Sequence, residues 1–184
     1  MLVNKYKYQL IKILQNNIID INLKDYDLLV EVKKEKIPFI LFFLKNNTYS
    51  QFKVLTDIVV SDYPENKKRF SVVYSLLSVK YSTRINIKTW VSELDFLEST
   101  VKIFNSANWM EREIWDMYGI FFLNHPDLRK ILTDYGFSGH PLRKDFPLSG
   151  FIEVRYDDNI NKIVTEPVEL TQAYRNFKFK NPWV

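Results

Sequence analysis

The chain has 184 residues, 46% of them hydrophobic and 16% aromatic, which is enough apolar material for a buried core and excludes a disordered chain. It has no cysteine, so disulfides, thiolate iron–sulfur ligation and thiol catalysis by this chain are excluded. The net charge is +4; Lys outnumbers Arg, and Asn and Ile are frequent, a pattern that fits an A/T-rich coding genome.

Residues 3–16 carry Val3, Tyr6, Leu10, Ile13 and Leu14 at near-helical spacing. This segment lacks the apolar core and cleavage site of a secretory signal, and we read it as a structural helix rather than a transit peptide. Asp27 to Val32 suits a short strand, and Pro38 opens a short apolar helix to about Leu44. The longest apolar run, Ile37 to Leu44, is eight residues long, whereas a membrane span needs about 20.

Three strands follow: Phe52 to Ser61, Arg69 to Val79, and a third alternating through Ile85, Ile87, Thr89 and Val91. The middle one is apolar on both sides, which predicts an internal strand covered by helices. Thr100 to Ala107 reads as a short helix leading into a second one. The fold class is therefore α+β, with a small, mainly antiparallel sheet packed by helices over residues 1–123.

The second helix is the best-specified element. Asn108 suits an N-cap and Glu111 stands where a capping box would place it. Met110, Ile114, Met117 and Tyr118 share one face, Arg112 and Asp116 form an i, i+4 pair, and Gly119 suits a left-handed C-cap. All four glycines and five of the seven prolines lie beyond residue 118. From about residue 124 the chain reads as an extended docking arm (124–184) with one hairpin, Phe151 to Tyr156 against Lys162 to Thr165.

Glu111, Glu113, Asp116 and His125 are the titratable groups that an acid–base or metal site would use. They lack metalloenzyme spacing, and capping and ion pairing account for the acids. Each of the two histidines, His125 and His140, precedes a proline, which extends it towards a neighbouring surface. The basic tracts Lys33-Lys34-Glu35-Lys36 and Lys67-Lys68-Arg69 read as strand-flanking charges rather than a nucleic-acid surface. Five of the seven arginines (112, 129, 143, 155 and 175) lie with aromatics in the second half, as buried protein–protein contacts favour.

Glu111-Arg112-Glu113-x-Trp115-Asp116-Met117-Tyr118-Gly119, then Asn124-His125-Pro126-Asp127-Leu128-Arg129-x-Ile131-Leu132-Thr133-Asp134-Tyr135-Gly136-Phe137, resembles the 30-kDa subunit family of respiratory complex I, the proton-pumping NADH:ubiquinone reductase. Gly139-His140-Pro141-Leu142-Arg143-Lys144-Asp145-Phe146-Pro147-Leu148-Ser149-Gly150, Glu153-Val154-Arg155-Tyr156-Asp157 and Glu166-Pro167-Val168-Glu169-Leu170-Thr171-Gln172 extend the likeness. Ala173, Asn176 and Val184 depart from it, since an acid, an aromatic and an acidic terminus are expected there. The resemblance is closest to the mitochondrial form. It implies a non-catalytic scaffold subunit of the peripheral arm, on the matrix side of the mitochondrial inner membrane. It further implies no cofactor in this chain, with FMN and iron–sulfur clusters held by partner subunits. The 49-kDa subunit and neighbouring cluster-bearing subunits are the expected partners, with no nucleic acid and membrane association only through the complex. Glu111, Arg112, Glu113, Asp116, His125, Arg129, His140, Arg143, Lys144, Asp145, Phe146 and Arg155 are then expected at subunit interfaces.

Overall fold

A computed structural model describes residues 18–24 and 27–175, with Phe177 and Trp183; the helix expected over residues 3–16 lies outside them. The chain divides into two compact units, Met1–Phe146 and Pro147–Val184.

In the first unit, strands β1 (Ile18–Lys24), β2 (Asp27–Val32), β3 (Val54–Asp62), β4 (Phe70–Ser78) and β5 (Thr83–Val91) form a five-stranded sheet in the order β1-β2-β5-β4-β3. All its pairings are antiparallel except β2–β5, which is parallel with Leu28 opposite Ile85. Helix α1 (Ile37–Asn46) has Pro38 in its first turn, where no backbone N–H is needed. Its residues Ile37, Ile40, Leu41 and Leu44 recur at i, i+3, i+4 and i+7 and are all buried. Short strands β6 (Phe96–Glu98) and β7 (Phe121–Leu123) pair in parallel on either side of helix α2 (Ala107–Tyr118) in the chain.

One continuous core joins the two helices to one face of the sheet. Phe70, Val72, Tyr74 and Leu76 of β4 meet Ile85, Ile87 and Val91 of β5, the α1 stripe, and Ala107, Ile114, Ile120 and Phe122. Strand β4 is internal, as its apolar pattern predicts, although β5 is the middle strand. Only one of its faces is fully buried: Val73, Ser75 and Leu77 on the other are half-buried. On that other face Lys88 lies over the Trp90 ring at 4.2 Å and Tyr63 packs against Trp90 at 5.5 Å. The sequence reading missed β1, and residues 100–103 form a turn rather than a helix.

In the second unit, β8 (Ile152–Asp157) and β9 (Lys162–Pro167) form the expected antiparallel hairpin. The register puts Ile152, Val154 and Tyr156 opposite Pro167, Thr165 and Ile163 on one face. Arg155 on the other face makes a two-pronged ion pair with Glu166 at 2.7 and 2.9 Å.

Candidate docking site

Helix α2 organises the residues that the sequence singles out. Its N-terminus does not carry the expected capping box. The helix starts two residues earlier than an Asn108 cap would place it, at Ala107, and Ser106 makes no side-chain cap. Glu111, fully buried, turns away from the helix end. Its carboxylate accepts from the Ser99 hydroxyl and from both the backbone N–H and the hydroxyl of Thr100, each at 2.7 Å. Burial pushes its carboxyl up, while those hydrogen bonds and His125 oppose the shift. His125 lies 3.9 Å from it. The His125 Nδ1 accepts from the Asp127 N–H at 3.1 Å, so Nε2 carries the proton and points at the Asn108 carbonyl, 3.2 Å away.

Arg112 and Asp116 do not pair with each other. Arg112 donates from Nε to the Arg129 carbonyl at 3.1 Å and lies over the Trp109 ring. Asp116 Oδ2 accepts three successive backbone N–H groups, from Ile131, Leu132 and Thr133, at 2.9–3.2 Å. Its Oδ1 accepts the Thr133 hydroxyl at 2.6 Å. Burial pushes this carboxyl up, but the hydrogen bonds outweigh it and hold the group below its ordinary value. The two side chains thus fasten residues 129–133 to the helix, where an i, i+4 salt bridge would have left that backbone unpaired.

The C-terminus of α2 is closed by the segment 140–143. A helix leaves its last four carbonyls without partners. Here the Trp115 carbonyl receives the Gly119 N–H at 2.9 Å, and the Asp116 carbonyl receives His140 Nδ1 at 2.9 Å. The Met117 carbonyl takes the Leu142 N–H at 3.2 Å and the Tyr118 carbonyl takes Arg143 Nε at 2.6 Å. Gly119 is left-handed, with φ 77°, and a Cβ there would lie 2.6 Å from both the Arg143 guanidinium and the His140 ring. The cationic Arg143 also sits at the negative end of the helix dipole.

Sequence reasoning missed the charges that hold this segment to the sheet. Asp62, at the end of β3, is buried and accepts a two-pronged contact from Arg69 at 2.7 and 2.9 Å, plus the Lys144 N–H at 2.8 Å. Arg69 reaches Asp145 at 2.9 Å, and Arg143 reaches Glu93. The Phe70 ring lies against both guanidinium groups, at 5.3 and 5.4 Å. The Arg69 contact holds the Asp62 carboxyl below its ordinary value, against the opposing effect of burial. The available signal was an acid closing one strand and an arginine opening the next across a single turn.

Of the residues expected at interfaces, Glu111, Arg112 and Asp116 are buried within the chain. The His125 side chain is buried as well; His140, Arg143 and Phe146 are half-buried, and Glu113, Arg129, Lys144, Asp145 and Arg155 are exposed. All but Arg155 belong to the first unit. Among the described residues there is no cluster of three or more His, Asp or Glu able to hold a metal, and no helix long and apolar enough to cross a membrane. A cleft of about 400 Å³ in the second unit is lined by Pro147, Leu148, Phe151, Val168 and their neighbours, none of them charged.

Residues 30–152 match the family described as respiratory-chain NADH dehydrogenase, 30 Kd subunit. The chain belongs to the 30-kDa subunit family of respiratory complex I. It is 53% identical over 157 residues to NADH-ubiquinone oxidoreductase subunit 9 of Reclinomonas americana, covering 85% of this chain and 77% of that protein. It is 58% identical over 144 residues to NADH dehydrogenase [ubiquinone] iron-sulfur protein 3 of Patellifolia webbiana, covering 78% of this chain and 75% of that one. The α+β architecture recurs in a chain from the membrane-bound sulfane sulfur reductase, an archaeal respiratory membrane complex. There the TM-score is 0.66 at 24% identity, over 87% of this chain and 99% of that chain, a likeness of fold. Membership of this family makes the chain a subunit of the NADH:ubiquinone oxidoreductase, with other complex I subunits as its partners.

Proposed function

We propose that this chain is a non-catalytic scaffold of the complex I peripheral arm, supporting assembly and electron transfer from NADH to ubiquinone while carrying no electrons itself. Its location in this reading is the matrix side of the mitochondrial inner membrane, attached only through the complex. The 49-kDa subunit is the principal partner, with cluster-bearing subunits beside it, and FMN and iron–sulfur clusters reside in those partners. The exposed Glu113, Arg129, Lys144, Asp145 and Arg155 make the polar contacts. Glu111, Arg112, Asp116, His125, His140, Arg143 and Phe146 act from behind, fixing the shape of the docking segment. Residues 124–184 supply the arm, its first part within the first unit and residues 147–184 forming the second.

The observation that carries this reading is the β8–β9 hairpin. Ile152, Val154, Tyr156 and Ile163 share a face, and each is 47% or more exposed. A two-stranded hairpin is marginal in water by itself, so an apolar face of this kind calls for a protein surface to cover it. The absence of cysteine supports the placing of the clusters elsewhere.

The test is native-gel separation of gently solubilised membranes, with this chain probed and NADH dehydrogenase activity stained in the same lane. Co-migration with a very large NADH-active band is expected. In Arg143→Ala the amount of that band should fall while its activity per complex stays near wild type. Normal assembly with lost turnover would overturn the scaffold role.

A further inference from the structure

The small parallel sheet β6–β7 presents a second apolar face, separate from the α2 segment and from the hairpin. Each strand is three residues long with its central residue, Leu97 or Phe122, buried in the core. The flanking residues therefore point outward, by the period-2 alternation of strands. Phe96 pairs with Phe121 and Glu98 with Leu123 across the ladder. Adjacent strands lie about 4.8 Å apart, so these side chains form one continuous patch. Phe96 is 53% exposed, Phe121 50% and Leu123 41%.

Leu94, two residues before Phe96 in the chain, is 98% exposed. It stands in a turn that is fixed three ways. The Asp95 N–H donates to the Ser92 carbonyl at 3.1 Å, the Ser92 N–H donates to the Asp95 carboxylate at 3.3 Å, and that carboxylate pairs with Lys34 at 2.7 Å. Single exposed apolar residues are ordinary, but three adjoining ones on a short ladder, with a fourth in the turn before it, are not. A rigid patch also loses little conformational entropy on docking.

Charge selects the occupant. Glu98 shares the outer face with Phe96, and no cation pairs with it among the described residues. Lys34, whose ammonium lies 5.8 Å from the Phe96 ring, is already committed to Asp95. We infer that this face docks another subunit of complex I, through an apolar side chain laid across Phe96 and Phe121 and a lysine or arginine opposite Glu98. This rests on the chain's place as a subunit and adds a docking face that the α2 segment and the arm do not contain.

Two measurements on the intact, detergent-solubilised complex test it. Hydroxyl-radical footprinting should find Phe96 and Phe121 at least about tenfold more protected, relative to free phenylalanine, than side chains half exposed to water. Glu98→Lys should leave a roughly tenfold smaller fraction of this chain in the NADH-active band after a moderate salt wash, with Glu98→Gln intermediate, as expected for an interface contact of hot-spot size. Glu98 is an outward-facing side chain, so neither variant threatens the fold. A chain that never enters the NADH-active band overturns the subunit reading and this inference together. A chain that enters it with reactive Phe96 and Phe121, or with Glu98→Lys retained as wild type, overturns this inference alone. So does a cross-link from this face to a second copy of the chain.

Discussion

Asp116 shows how a single carboxylate can replace a stretch of secondary structure. Residues 131–133 lie in no helix or strand, and their three N–H groups converge on one oxygen. In Asp116→Asn the amide oxygen can keep the three N–H donors only by setting the NH2 against the Thr133 hydroxyl, which then loses its acceptor, and the charge that strengthens all four bonds is gone. We predict a loss of about 1–3 kcal/mol in urea unfolding. The same carboxyl is held below its ordinary 3.8 in the fold, as is that of Asp62. Each contributes stability that is present above 3.8 and lost as pH falls through the folded value. Glu111 has the opposite sign: raised by burial from 4.5, its contribution is full below 4.5 and is lost as pH rises through its folded value. Stability measured against pH should therefore fall below about pH 4, and less steeply in Asp116→Asn than in wild type. Gly119→Ala tests the opposite end of the helix. A left-handed alanine whose Cβ overlaps Arg143 and His140 should cost about 2–4 kcal/mol, read as a lower urea midpoint.

At the scale of elements, amphipathic periodicity was legible and polar commitments were not. The α1 stripe, the three alternating strands, the Gly119 cap and the β8–β9 hairpin all follow from local spacing and turn chemistry. Glu111 at the third helical position after Asn108 carried an equally good local signal, and the structure uses it differently. Ser99 and Thr100, brought up by the turn before α2, offer three donors in place of one, and a buried carboxylate takes the larger set. Strand β1 was missed because Ile18–Lys24 mixes Asp and Asn with its isoleucines, so neither period dominates. Strands β6 and β7 are too short for any period to emerge. The hairpin makes a prediction of its own. Tyr156→Ser and Ile163→Ser alter side chains that are 57% and 72% exposed, so the unfolding midpoint should hold to within about 0.5 kcal/mol. Retention of the chain in the native complex should fall in both, which native gels would register; unchanged retention would remove the arm from the docking surface.

At the scale of the whole molecule, long-range charge contacts do what composition could not disclose. Asp62 and Lys144 meet from distant parts of the chain, and Arg69 links β4 to Asp145. The complex I resemblance runs through residues 139–150; within that stretch, residues 140–143 cap α2, and Lys144 and Asp145 tie the segment to Asp62 and Arg69. Arg69→Met would leave Asp62 buried with its charge uncompensated. We predict a loss of about 3–5 kcal/mol, together with new protease cleavage within residues 140–146, because their anchor is gone.

The lone parallel pairing in the sheet has a consequence for the order of events. Strands β3, β4 and β5 form a meander of short connections, whereas β2 can join β5 only after the chain has passed through α1 and two further strands. Loop-closure entropy favours the meander as the nucleus and makes β1–β2 the late addition. On a ribosome, the β1–β2 hairpin then emerges well before the strand it joins, waiting unpaired along one edge until β5 appears. Pulse-labelling hydrogen exchange during refolding should accordingly protect Val72 and Ile87 before Val30, and simultaneous protection would overturn that order.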